Sequence, residues 1–130
     1  MYSVDMNNLI IEGTSKTPSI SMDAENGIIE IQGNSIPEDP VAFYQPYITW
    51  AEKYIAKPCP YTLINIKLEY FNTSSSRQLL NILKKFDELS KSGKSKVTVY
   101  WYYQQDDEDM LKAGEELASL LSSPFRISQF

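Results

Sequence analysis

The spacing of apolar residues changes several times along the chain, and each change predicts a new element. The opening, residues 1–18, shows little period apart from Leu9-Ile10-Ile11, which predicts one short strand after a weakly determined start over 1–12. Ile20 to Met22 and Ile28 to Gln32 flank Asp23-Ala24-Glu25-Asn26-Gly27, and Asn-Gly supplies the left-handed conformation that closes a hairpin. In the second arm Ile29 and Ile31 alternate with Glu30 and Gln32, giving one apolar and one polar face. From Pro37 to Ala56 the period lengthens: Tyr44, Tyr47, Ile48, Ala51, Tyr54 and Ile55 recur at helical spacing. Pro46 interrupts that stretch without a backbone donor, so the helix is expected to start at Pro46 or to kink there.

Tyr61 to Phe71 is the clearest strand, with Ile64, Ile66, Leu68 and Tyr70 expected on one face and Asn65, Lys67 and Glu69 on the other. After Asn72-Thr73-Ser74-Ser75-Ser76 a helix is predicted from about Arg77 to Ser90, carrying Leu79, Ile82, Leu83, Phe86 and Leu89 as its stripe. Val97, Val99 and Trp101 predict another strand. Asp106 to Asp109 precede a third helix with Leu111, Leu117 and Leu120-Leu121, and Pro124 to Ile127 reads as a closing strand.

Strands alternating with helices give crossover units and a parallel or mixed sheet. Fully covered parallel strands are apolar on both faces, whereas these alternate. The expected fold is therefore α/β, with α+β character: one domain over 1–130, a mixed sheet of about five to six strands, and helices mainly on one face. The second face is expected to be polar, aromatic-bearing and open.

Composition narrows the function. The 130 residues are 42% hydrophobic, enough to bury one core. Twelve basic against 17 acidic residues leave a charge of −5, which argues against nucleic acid and anionic membranes as partners. The absence of histidine excludes Ser-His-Asp and Cys-His catalysis and any histidine metal site. Cys59 alone forms neither an intramolecular disulfide nor a cysteine zinc site. No leader pattern and no membrane-length apolar run are visible, so a cytoplasmic protein without membrane insertion is expected.

Three places carry candidate chemistry. Asn72 to Ser76 stands at a strand-to-helix junction, where such side chains cap the helix. One hydroxyl suffices for that, yet four stand in a row, and a helix start also favours an added phosphate, with Arg77 one turn beyond Thr73 to pair with it. Capping and phospho-acceptance remain compatible. The acidic run Asp106-Asp107-Glu108-Asp109, with Glu115-Glu116, suits a solvated helix start, and also Mg²⁺ binding or paired-carboxylate hydrolysis. The aromatic group Tyr100 to Tyr103 with Tyr44, Tyr47 and Trp50 suits core packing more than base stacking, given the charge. There is no GxGxxG, GxxxxGK or CxxC.

Several segments together resemble a known bacterial family: Thr17-Pro18, Gly33 to Pro40, Phe43-Tyr44-Gln45-Pro46, Trp50, Leu68 to Ser75, Trp101-Tyr102-Tyr103, Asp107-Glu108-Asp109, Gly114-Glu115 and Pro124-Phe125. They look like the SiaC-type regulatory phosphoproteins, over nearly the whole chain from about Gly13. The Tyr70-Phe71-Asn72-Thr73-Ser74-Ser75 block is the most specific part, and Ser76 extends it by one hydroxyl. The resemblance implies a fold similar to the anti-anti-sigma (STAS) proteins and a partner switch without enzymatic activity, cofactor or metal. It implies that Thr73 is phosphorylated by a cognate protein kinase and dephosphorylated by a PP2C-type phosphatase. Asn72, Ser74, Ser75 and Arg77 would shape the surface that kinase and partner recognise. The unphosphorylated form would bind and activate an output protein such as a diguanylate cyclase, raising cyclic di-GMP and promoting biofilm. Two rivals stand beside this reading: a small Mg²⁺-dependent enzyme using Asp107 to Asp109, and an interaction domain whose hydroxyls only cap.

Overall fold

In the computed structural model, residues 8–130 are described; the expectation of a leaderless, aperiodic start falls, for residues 1–7, outside them. The elements are β1 (Leu9–Ile11), β2 (Ser19–Asp23), β3 (Ile28–Ser35), α1 (Pro40–Tyr54), β4 (Tyr61–Phe71), α2 (Thr73–Ser92), β5 (Lys96–Tyr103), α3 (Glu108–Ser119) and β6 (Phe125–Gln129). They build one six-stranded mixed sheet in the order β1-β2-β3-β4-β5-β6. The first three strands pair antiparallel, and β3 through β6 run parallel.

The hairpin forms for the expected reason. Gly27 has a φ of 69°, and the Asp23 carboxylate accepts the backbone N–H groups of Glu25 and Asn26 at 3.0 and 3.1 Å. The parallel half follows from the connections. Each helix steps from one strand to its neighbour in the same direction, and such crossovers share one hand, so all three helices fall on one face. That face is the core: Ile29, Ile31, Ile64, Ile66, Val97, Val99 and Trp101 meet Tyr44, Trp50 and Tyr54 of α1, Leu79, Ile82 and Phe86 of α2, and Met110 and Leu117 of α3. Burying each large side chain contributes ~1.5–3 kcal/mol, and this stripe holds α2 down. Among the described residues no helix covers the opposite face, where Lys67 lies 5.1 Å from the Tyr102 ring and Tyr102 stacks 6.3 Å from Tyr100.

Four expectations are corrected. Helix α1 starts six residues before Pro46: the Asp39 side chain accepts the Ala42 N–H at 3.1 Å, and Pro40 begins the helix, where a missing N–H costs nothing. Pro46 is tolerated inside because it and Ala42, whose carbonyl loses its partner, are both exposed to water. Helix α2 begins at Thr73 rather than near Arg77. Tyr70 is 57% exposed, because the β3–β4 register shifts and Glu69 has no partner residue. That bulge turns Phe71 inward, edge-on to Trp101 at 6.0 Å. Finally, Leu120 lies past the end of α3 and is 57% exposed; the buried stripe is Met110, Gly114 and Leu117.

Candidate functional site at the start of α2

Because the three helices run antiparallel to the strands they follow, their N-termini line up along the carboxyl edge of β3, β4 and β5. At the middle of this edge β4 ends at Phe71 and α2 starts two residues later. Asn72 is the cap, in extended conformation (φ −89°, ψ 170°), and its side-chain oxygen accepts the Ser75 N–H at 2.8 Å. The Ser76 N–H then makes the first full-turn bond, to the Asn72 carbonyl at 3.1 Å.

The hydroxyls that follow have different surroundings. Thr73, at the first helical position, and Ser74 are exposed, and Ser76 is half-buried. Ser75 is 0% exposed. Its hydroxyl donates to the Ser35 carbonyl at 2.9 Å and accepts from the Ser35 hydroxyl at 2.9 Å. This corrects one expectation: Ser75 faces the interior and offers no side chain to a recognising surface. Thr73 stands outside these bonds, since Asn72 provides the cap and Ser75 the inward anchor. Arg77 is exposed one turn from Thr73, on the same side of the helix, and forms no ion pair among the described residues.

The electrostatics differ between the three helix starts. Helices α1 and α3 are capped by Asp39 and Asp107, so a carboxylate already faces each positive dipole end. Helix α2 is capped by a neutral amide and has no acidic residue in its first turn. An anion added at Thr73 therefore meets the free N–H groups of the first turn, a favourable dipole and Arg77, without a competing carboxylate in that turn.

One residue of this junction, Ser35, does not stand out in the sequence as functional, and its partner Tyr44 belongs to the aromatic group expected to pack in the core. Ser35 ends β3 fully buried, with its hydroxyl 2.6 Å from the Tyr44 hydroxyl. Burial raises the Tyr44 pKa to about 12, although the Ser35 bond pulls the other way, so the phenol stays protonated. A signal for Ser35 exists: a lone serine occupies the inward phase set by Ile29 and Ile31.

The other candidates resolve into structural roles. The Asp107 carboxylate accepts the Met110 N–H at 3.0 Å, while Asp106, Glu108 and Asp109 are exposed. Among the described residues no three Cys, Asp or Glu side chains converge to hold an ion. Trp101 is buried, donating to the Met110 carbonyl at 2.9 Å; Tyr100 and Tyr102 lie on the open face. The Cys59 thiol is half-buried against the Ala24 and Glu25 carbonyls at 3.2 and 3.3 Å. No described helix is long and apolar enough to cross a membrane.

Against known proteins, the chain is similar to an uncharacterised protein of Pseudomonas aeruginosa strain UCBPP-PA14, 32% identical over 122 residues that cover 94% of this chain and 96% of the relative. Its fold is similar to apo-SiaC from Pseudomonas aeruginosa, with a TM-score of 0.86 at 32% identity over 95% of this chain and 99% of that one. It is equally similar to a chain in the crystal structure of the diguanylate cyclase SiaD in complex with its activator SiaC, also from Pseudomonas aeruginosa: TM-score 0.87, 31% identity, covering 94% and 99% of the two chains. The model of the SiaC family of regulatory phosphoproteins matches residues 11–130. That match spans β2 to β6, all three helices and the Asn72-Thr73 junction, and the chain belongs to the SiaC family of regulatory phosphoproteins.

Proposed function

We propose that this chain is a cytoplasmic, non-enzymatic partner switch whose state is set by phosphate on Thr73. A protein kinase adds the phosphate, a PP2C-type phosphatase removes it, and the unphosphorylated form binds and activates a diguanylate cyclase. The observation that carries this reading is the exposed Thr73 hydroxyl at the start of a neutrally capped helix, with Arg77 one turn on. The similarity to SiaC, an activator in complex with the diguanylate cyclase SiaD, supports the choice of output. Asn72, Ser74 and Arg77 contribute the surface around the acceptor, and Ser75 contributes from inside by shaping the turn. The rival Mg²⁺ enzyme loses support because Asp107 already serves as a helix cap.

The switch works by desolvation. A neutral hydroxyl enters an interface at modest cost, whereas phosphothreonine brings about −1.5 to −2 charge. Arg77 and the helix start stabilise that anion in water. A partner surface that removes the water without supplying cations loses several kcal/mol, which is on the order of a hundredfold or more in affinity. The deciding measurement is calorimetric titration of the cognate diguanylate cyclase with unmodified and enzymatically phosphorylated chain. Thr73→Ala is expected to bind like the unmodified protein and Thr73→Glu to bind more weakly. Equal affinities for the two phosphorylation states would remove Thr73 from the switch and leave it a residue of a capped helix.

A further inference from the structure

Every residue from Asn72 to Ser76 carries a side chain that caps helices well, so local preference leaves the start of α2 nearly undetermined. The choice has consequences for Thr73. If the helix began one residue later, Thr73 would become the cap, and its hydroxyl oxygen would turn back to accept the Ser76 N–H. The acceptor would then be engaged and turned away from an incoming kinase. The observed start at Asn72 leaves that hydroxyl outside the capping bonds.

What selects this start lies on a different strand. The Ser35 carbonyl accepts the Asn72 N–H at 3.1 Å and the Ser75 hydroxyl at 2.9 Å, so one oxygen ties the two ends of the first turn together. The Ser35 hydroxyl donates to the Ser75 oxygen at 2.9 Å. Its proton being engaged there, the proton in the 2.6 Å contact with Tyr44 is the phenol's. Tyr44, Ser35 and Ser75 thus form a closed relay in which each hydroxyl donates once. All three residues are fully buried, where a hydroxyl left without a partner is costly. The residues leading into this clamp are suited to it: Gly33 holds a φ of 109°, and the bulge at Glu69 shifts the register by one, so that Ser35 pairs with Phe71 rather than Tyr70.

We infer that Ser35, Tyr44 and Ser75 are positioning residues, which hold the start of α2 at Asn72 and so make Thr73 the phosphate acceptor among four adjacent hydroxyls. The inference rests on Thr73 being that acceptor, and it deepens the reading by stating what selects it.

The test compares the wild-type chain with Ser75→Ala and Tyr44→Phe, each far milder than removing Ser35. Unmodified recombinant proteins are examined by amide hydrogen exchange across residues 73–77 and by thermal melting. The same three chains produced in their own host are examined by phosphosite mapping. In Ser75→Ala the amides of Ser75 and Ser76 should exchange about three- to tenfold faster, the effect of one lost buried bond. The phosphorylated fraction at Thr73 should fall by a similar factor, with phosphate appearing on Ser74 or Ser76. Tyr44→Phe should move both readouts the same way by less. A purely structural role would lower the melting temperature without redistributing phosphate. Wild-type occupancy and site choice in both variants overturn the inference, whatever the exchange rates do. A wild-type chain carrying no phosphate on Thr73 instead removes the acceptor reading, while exchange rates still decide whether the clamp exists.

Discussion

Replacing Asp87 by Asn changes one buried charge at the far end of α2 and should destabilise the protein in a pH-dependent way. Asp87 is 5% exposed, and its Oδ1 accepts the Ser122 N–H at 2.9 Å, the Ser123 N–H at 2.8 Å and the Ser123 hydroxyl at 2.7 Å. Through these bonds one carboxylate secures the connection from α3 to β6. Lys91 lies 3.6 Å away but is mostly exposed, so its pair contributes less than ~1 kcal/mol. Asparagine keeps one acceptor oxygen but loses the charge and places an amide donor facing donors. Bonds to a charged group contribute ~1.5–3 kcal/mol each, and the neutral amide weakens several of them at once. We expect a loss of about 3 kcal/mol near neutral pH, or a fall of roughly 10 °C in melting temperature for a domain of this size. Burial is the largest single influence on the Asp87 carboxyl and raises its pKa. The bonds from Ser123 and Ser122, with Lys91, together outweigh it and hold the pKa below the ordinary 3.8. A carboxyl depressed in the folded state stabilises fully above its unfolded pKa, and that stability is lost as pH falls through the folded value. Melting curves of wild type and Asp87→Asn should therefore lie a constant distance apart from pH 7 to about 5 and converge below about 4. Curves that stay parallel into strong acid, or a gap under a few degrees at pH 7, would refute the reasoning.

Two other substitutions test the packing and the cap. A Cβ on Gly114 would sit 2.5 Å from Cδ1 of the buried Trp101 ring, so Gly114→Ala must displace the indole that donates to Met110, at a cost of ~1–3 kcal/mol by chemical denaturation. Asn72→Ala removes the cap on Ser75 and should cost ~1 kcal/mol, seen as a lower urea midpoint at unchanged slope.

Most elements are legible in the sequence because alternation and helical stripes record which face is buried, and all three helices lie on one face of the sheet. Most misses share a cause, local signals yielding to partners distant in sequence, and the start of α1 is the exception. Pro46 reads as a helix boundary, but Asp39 and Pro40 start α1 earlier and water meets the orphaned Ala42 carbonyl. The serines before Arg77 read as a loop because they compete for the backbone when alone; Asn72 and the distant Ser35 carbonyl recruit them into the helix. Tyr70 follows the alternation of β4 until the bulge at Glu69, which depends on a register in β3. Thr73 is exposed at the helix start, whereas the interior position of Ser75 does not follow from its place in a row of hydroxyls. Ser35 is visible only once the strand containing Ile29 and Ile31 has a known inward phase.

The placement of the hydroxyl row on α2, rather than on its neighbours, has a physical basis. The proposed switch needs an anion to be accepted without unfolding the domain that carries it. Helix α1 begins with Asp39 and Pro40, which provide no hydroxyl. Helix α3 begins with Asp107, Glu108 and Asp109, where a phosphate would face three carboxylates within one turn. Helix α2 combines a neutral cap, no first-turn acid, Arg77, and 20 residues whose inner stripe packs on α1 and β5. Its length matters because burial along the stripe far exceeds the ~0.3–1 kcal/mol by which a charge at a helix end changes stability. A phosphate there alters what the carboxyl edge presents to a partner while leaving the packing of the domain intact. Under the proposed switch the change is expressed in binding rather than in folding.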